Sequence, residues 1–227
     1  MAIDEPSNIF NRPCRLILAR HGQTEWNKEW KFQGHTNTNL TETGKLQAAL
    51  LAKRLENWNF DVVYSSPLER ALFTAKEITK SRNFEPIILP ELQEINFGSW
   101  EGQSIHSLEN NNNEIFSRWR ADPFFNPPEG AETWQQISDR LSKAINFVLS
   151  SNRKNIILVS HGGIIRALHA VLLGFNPHKT WNIDVSNCSI TGIEIRNGRA
   201  CLAFSNDDLH IRAKINDFKN LPVWGEF

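Results

Sequence analysis

The chain has 227 residues, with 25 Lys and Arg against 25 Asp and Glu, so its formal net charge is zero. That length suits one α/β domain with a sizeable core, and the balanced charge supplies no global field to draw nucleic acid or an acidic membrane. An anionic ligand must then be captured by local charge.

Cys14, Cys188 and Cys201 lie far apart without metal-ligand spacing, which argues against a disulfide framework or a zinc site and fits a reducing compartment. Met1 to Arg15 is polar and carries no apolar signal region. No run reaches the length of a bilayer. The expected location is cytoplasmic, with no nucleic-acid and no membrane partner.

Residues 1–13 are expected to form a flexible arm. The apolar run Leu16-Ile17-Leu18-Ala19 reads as a buried strand that stops abruptly at Arg20-His21-Gly22. In a parallel α/β sheet, ligands bind at the carboxyl ends of strands. This segment thus delivers a guanidinium and an imidazole to the sheet mouth, with a glycine for a sharp turn or a close approach. A polar loop follows from Trp26 to Asn39. Leu46, Leu50, Leu51 and Leu55 then recur at helical spacing, with Thr41 or Thr43 as the cap.

Residues 61–64 form a second short strand. Ser66-Pro67-Leu68-Glu69 reads as a helix start, with Ser66 as N-cap, Pro67 at the first position and Glu69 closing a capping box. Leu68, Ala71, Leu72, Ala75 and Ile78 mark its apolar face, and Arg70 falls in the first turn, where anions are favoured. Residues 87–89 make a third strand, followed by a loop with Glu91 and Glu94. Residues 103–131 are the least regular part, with Ile115 to Arg120 as a short helix carrying Phe116 and Trp119.

Trp134, Ile137, Leu141, Ala144, Ile145 and Val148 predict an amphipathic helix ending near Ser151. The next strand, 156–159, again runs into His-Gly at His161-Gly162. A helix from about Gly163 to Leu173, stopped by Gly174, comes next, with His169 as a packing residue inside it. Residues 190–195 and 200–204 flank Asn197-Gly198 as a hairpin. Two strands that each end in His-Gly imply two imidazoles at one edge of one sheet.

Further matching pieces give these motifs a family. Arg20-His21-Gly22-Gln23-Thr24-Glu25-Trp26-Asn27 is similar to the signature of the histidine phosphatase superfamily, the phosphoglycerate-mutase-like proteins. Phe32-Gln33-Gly34-His35-Thr36, with Leu40-Thr41 and Gly44, resembles its phosphatase branch. Ser65 to Ala71, Glu94 to Gly102 and Ser160 to Gly163 also match, in family order, to about Leu209. Asn37 and Asn39 depart from the acidic residue and the proline that the branch often shows.

The resemblance implies a three-layer α/β/α sandwich with a mostly parallel sheet of about six strands. It implies a single domain over 14–210, segment 103–131 as a flap over the site, and a tail over 211–227 that carries Trp224. It further implies a metal-independent phosphomonoesterase. His21 would be the nucleophile of a phosphohistidine intermediate, Glu94 the proton donor, and Glu91 and Glu101 solvated or structural. Arg20 and Arg70 would bind the phosphoryl oxygens, and His161, protonated, would add a third cationic donor. Asn27, Gln33, Gly34, Thr36 and Gly162 are the substrate-binding candidates, with His35 beside them. No cofactor and no metal are expected; the partner is a small phosphorylated metabolite or inorganic phosphate, and the chain a monomer or homodimer.

One alternative is a bisphosphoglycerate-dependent phosphoglycerate mutase. Family mutases carry a longer insertion between proton donor and second histidine, and here 66 residues (95–160) separate Glu94 from His161, which favours hydrolysis. The other is a phospho-ligand binding module without chemistry, against which stands the complete set Arg20, His21, Arg70, Glu94 and His161.

Overall fold

A computed structural model describes residues 10, 12–111 and 114–212. Most of the arm at 1–13, two residues of the Asn110–Asn113 run and the tail beyond 212, with Trp224, lie outside the described residues.

Six strands form one sheet: β1 (Cys14–Arg20), β2 (Val62–Ser65), β3 (Ile87–Ile88), β4 (Asn155–Ser160), β5 (Ile190–Arg196) and β6 (Arg199–Asp207). Their order is β3-β2-β4-β1-β5-β6. The first four are parallel, and β5 and β6 are antiparallel additions. All six expected strands are present, and the last hairpin forms the expected antiparallel edge. Asn197 and Gly198 both have positive φ, at 51° and 71°, as the tight hairpin turn requires.

Side chains alternate across the pleat, and two cores result. Leu16, Leu18, Ile156 and Leu158 face one side, with α6 (Trp134–Leu149) and α7 (Gly162–Leu173). Ile17, Ala19, Ile157 and Val159 face the other, with α2 (Glu42–Leu55) and α3 (Glu69–Thr79). The chain is therefore a three-layer α/β sandwich. No helix among the described residues is long and apolar enough to cross a membrane.

Helix limits follow local chemistry. The α6 start is fixed by a capping box in which Thr133 and Gln136 satisfy each other's backbone N–H. Gly174, at φ 68°, closes α7 in the left-handed conformation. Thr41 caps α2 by accepting from the Gly44 N–H at 2.9 Å.

Three expectations need correction. The buried stripe of α2 is Gly44, Ala48, Leu51 and Leu55, spaced by three and four; Leu46 lies on the opposite face and is 61% exposed. Helix α3 begins at Glu69 with Leu68 as N-cap, not at Ser66, and has no side-chain cap. The polar loop after β1 opens with one helical turn, α1 (Glu25–Lys28), held by a Thr24–Asn27 capping box.

Segment 103–131 holds α4 (Ile105–Asn110) and α5 (Glu114–Ala121). Phe116 and Trp119 are buried there, stacked on each other and packed on Trp100. A last turn, α8 (Leu209–Arg212), follows β6.

Candidate active site

The β1–β4 register pairs Arg20 with Ser160, so the residues that follow, His21 and His161, leave the sheet side by side. Their ring centroids are 5.0 Å apart. The two His-Gly endings therefore meet at one edge, as their strands predicted. The glycine after His21 serves close packing: a Cβ there would stand 2.3 Å from the Gly44 carbonyl oxygen of α2. The close approach it permits is to backbone.

The two imidazoles differ. His21 Nδ1 lies 2.7 Å from its neighbour's carbonyl, Gly22 O. An acceptor there requires the proton on Nδ1, so Nε2 carries the lone pair. His161 takes the opposite tautomer. Its Nδ1 accepts from Arg70 Nε at 3.3 Å, so Nε2 holds the proton and donates to Ser66 Oγ at 2.8 Å.

Burial, then the nearby Arg70 and Arg20 guanidiniums, push the pKa of His21 well below the ordinary 6.5. Burial, Arg70 and His21 do the same to His161. Both rings are neutral near pH 7. Without an anion in the cavity, burial and the cationic surroundings thus disfavour the protonated His161 that would serve as a third donor.

Arg70 enters from the first turn of α3. Its Nη1 donates to Thr36 O at 2.8 Å and its Nη2 to Gly34 O at 2.7 Å. Arg20 donates through Nη1 to Val185 O at 2.6 Å, while its buried Nε finds no partner among the described residues. Burial draws both guanidiniums down to about 10, which still leaves them charged at neutral pH.

Glu94 sits in the loop between two 3₁₀ turns, Pro90–Leu92 and Gly98–Trp100. Its carboxylate accepts from Ile95 N at 3.0 Å and from Gly163 N at 3.3 Å. A clamp fixes this loop. Arg140 of α6 donates to the carbonyls of Glu91, Gln93 and Glu94, and pairs with Glu132 through Nε and Nη2 at 2.7 and 2.8 Å. Glu132 in turn accepts from Asn96 N at 2.9 Å. Burial acts to raise the Glu132 pKa, but its bonds from Arg140 outweigh that and lower it.

These groups surround a cavity of about 430 Å³. Arg20, His21, Asn27, Gln33, Gly34, Arg70, Glu94 and Gly162, all singled out from sequence, line it. Asn27 Oδ1 accepts from Thr24 N, Thr24 Oγ1 and Asn187 Nδ2, which turns its amide N–H₂ away from these partners. Two of the expected residues stand behind the wall. His161 is fully buried beside Arg70. Thr36 holds Glu101 with its hydroxyl at 2.6 Å and Arg70 with its carbonyl.

His35 also is absent from the wall; its Nε2 lies 2.9 Å from Glu94 O. Glu101 is structural, accepting from His35 N, Thr36 N and the Thr36 hydroxyl. The sequence does not single out Arg166 or Asn187, nor which aromatics form the wall: Trp26, Trp30, Phe97, Trp119 and Trp181 line it. Arg166 did leave a signal, as the only charged residue in the apolar helix after His161.

Such a site can bind a tetrahedral anion, attack it with a neutral imidazole and deliver a proton from a carboxyl group. Comparisons with known proteins identify the family. A profile of the histidine phosphatase superfamily (branch 1) matches residues 16–208. The adenosylcobalamin/α-ribazole phosphatase of Salmonella typhimurium is 35% identical over 193 residues, 85% of this chain and 96% of that protein. Phosphoserine phosphatase 1 of Hydrogenobacter thermophilus is 33% identical over 198 residues, 87% and 94% of the two chains. A crystal structure of a phosphoserine phosphatase mutant from Entamoeba histolytica, in complex with phosphoserine, superposes with a TM-score of 0.77 at 32% identity, over 87% of this chain and 99% of that one.

Proposed function

The chain belongs to the histidine phosphatase superfamily as a phosphatase, and from that premise we propose that it hydrolyses a small phosphorylated metabolite through a phosphohistidine on His21. The observation that carries this reading is the tautomer of His21. With Nδ1 tied to Gly22 O, the free lone pair on Nε2 belongs to a neutral ring, which is the nucleophilic form.

Arg20 and Arg70 neutralise the phosphoryl oxygens as charge spreads over them in the transition state. His21 Nε2 attacks phosphorus in line, an N–P bond forms, and the ester P–O bond breaks. Protonated Glu94 gives its proton to the departing alkoxide. As a carboxylate it then takes a proton from water, the hydroxide attacks phosphorus, the N–P bond breaks, and inorganic phosphate leaves. Asn27 and the Gly162 N–H supply further donors to the oxygens.

His161 holds Arg70 in place while neutral. The substrate's dianion acts against the Arg70 and Arg20 fields that strip its proton. As the phosphomonoester enters as its monoanion, it gives its proton to His161 Nδ1 and becomes the dianion; His161 becomes the third donor, and the Arg70 Nε–H turns to the anion. The relatives named for phosphoserine and α-ribazole phosphate support a small phosphomonoester as substrate.

Rapid mixing with p-nitrophenyl phosphate tests the two-step course. A burst of about one nitrophenolate per site, absent from His21→Ala, is expected wherever dephosphorylation limits turnover. Steady hydrolysis by His21→Ala at the wild-type rate would refute the assignment.

A further inference from the structure

The cavity wall holds one guanidinium more than phosphoryl transfer needs. Arg166 lies four residues after Gly162, on the same face of α7. Its Nε donates to Ile183 O at 2.9 Å, and its guanidinium lies 5.0 Å from the Trp181 ring centroid. Both contacts fix the plane of the group. They leave Nη1 and Nη2 without a protein acceptor among the described residues. A Cβ on Gly162 would stand 3.2 Å from Arg166 Nη1 and 3.5 Å from Arg20 Nε, so the two guanidiniums flank a hollow that only glycine leaves open.

The charges there do not balance. Arg20, Arg70, Arg166 and Lys31 line the cavity, and Glu94 is the one carboxylate in its wall. Lys31 is paired with Glu29 at 2.6 Å. A phosphoryl dianion offsets Arg20 and Arg70, and Glu94 is already held by the Ile95 and Gly163 N–H groups. Arg166 then has no carboxylate within ion-pair distance among the described residues; its acidic neighbour Asp184 acts on it from farther off. A partly buried charge is costly without a partner.

Its place within the site also differs from that of the other two. Arg20 and Arg70 both weigh on His21 and His161, whereas Arg166 weighs on neither ring. Its own strongest charged neighbours are Glu94 and Asp184. Glu94 accepts from the Gly163 N–H at 3.3 Å, and Arg166 lies about one turn further along α7, so it stands near the proton donor, the side by which the leaving group departs.

We infer that Arg166 grips a second anionic group carried by the leaving alcohol, a carboxylate or a second phosphate, and so selects phosphomonoesters of anionic alcohols. This rests on the phosphatase mechanism proposed above. The planar fork suits either anion, since both offer paired oxygens for bidentate contact.

The test compares kcat/KM within matched pairs. One pair is 3-phosphoglycerate and glycerol 3-phosphate, which differ by a carboxylate; the other is fructose 1,6-bisphosphate and fructose 6-phosphate, which differ by a phosphate. The wild type should favour the more anionic member of at least one pair by about tenfold or more, and the pair that responds names the anion. In Arg166→Gln that ratio should fall toward one, and Arg166→Lys should restore part of it. Working with ratios inside one sample removes any loss from misfolding. Equal rates within both wild-type pairs would overturn the inference, as would an Arg166→Gln variant that keeps the wild-type ratio. Persistence of all these activities in His21→Ala would instead overturn the mechanism beneath it.

Discussion

The two strand-His-Gly endings are alike in sequence and differ in what the fold does with them. After β1, His21 is tied to its own neighbour's carbonyl and keeps Nε2 for the cavity. After β4, His161 is enclosed, with Arg70 on one nitrogen and Ser66 on the other. The backbone beyond them differs as well. Gly22 leads into a loop pressed on α2, while Gly162 opens helix α7. A free ring nitrogen makes a nucleophile; two engaged nitrogens make a holder of charge.

Substitutions can separate these roles. His21→Ala should show the largest effect, a fall in kcat of roughly four orders of magnitude or more, as for loss of a covalent nucleophile. His161→Ala should cost about 10² to 10³, the scale of losing one preorganised donor, while phosphohistidine still forms. If the two variants were equally impaired and neither could be labelled, the contrast between the rings would collapse.

The clamp on the Glu94 loop gives an effect of intermediate size with a distinctive signature. Arg140→Ala should lower hydrolysis of alkyl phosphates about tenfold to a hundredfold, part of the worth of a general acid. It should lower kcat/KM for p-nitrophenyl phosphate, which reports the phosphorylation step, much less, because nitrophenolate leaves without a proton. Glu94→Gln should show the same dependence more strongly. A uniform loss over all leaving groups in Arg140→Ala would make the clamp merely structural.

Smaller still is Ser66→Ala, which removes the acceptor of the His161 Nε2 proton. One net hydrogen bond, about 1 kcal/mol, implies a several-fold loss in kcat/KM, read from steady-state kinetics.

Acidity completes the series. Burial leads the lowering of pKa at His21, His161, His169 and His210. Below pH 6.5 the unfolded chain therefore binds more protons than the folded one. Their neutral burial is fully compatible with stability above that pH, and stability falls as pH drops from 6.5 toward the lowered values. The limiting slope is about 1.4 kcal/mol per pH unit for each histidine, measurable by urea denaturation. Stability unchanged between pH 6.5 and 5 would contradict the assigned burial.

Much of this was legible before any coordinates. Apolar runs that end at polar His-Gly place both histidines at one sheet edge, because strands deliver their ends there. The helical stripe of α6 and the Asn-Gly turn likewise depend on local chemistry alone. Ser66 departs from the expected helix start for a physical reason. Ser-Pro-Leu-Glu is a good local helix start, but the Ser66 hydroxyl bonds His161 from another strand, and α3 begins three residues later. Leu46 shows how an apolar residue can fall outside the stripe when smaller Gly44 and Ala48 take the contact. Arg166 needed the fold, since only the packing of α7 beside β1 turns a helical arginine into cavity wall. The resemblance singled out Glu94, since Glu91 and Glu101 differ from it only in position.

The central claim is that His21 alone carries the phosphoryl group. Alkaline quench of the wild type during turnover, followed by mass spectrometry of its peptides, tests this directly. One phosphoryl group, stable to base and lost in acid, should map to His21 and be absent from His21→Ala. A phosphorylated His161, or label retained in the variant, would contradict the account.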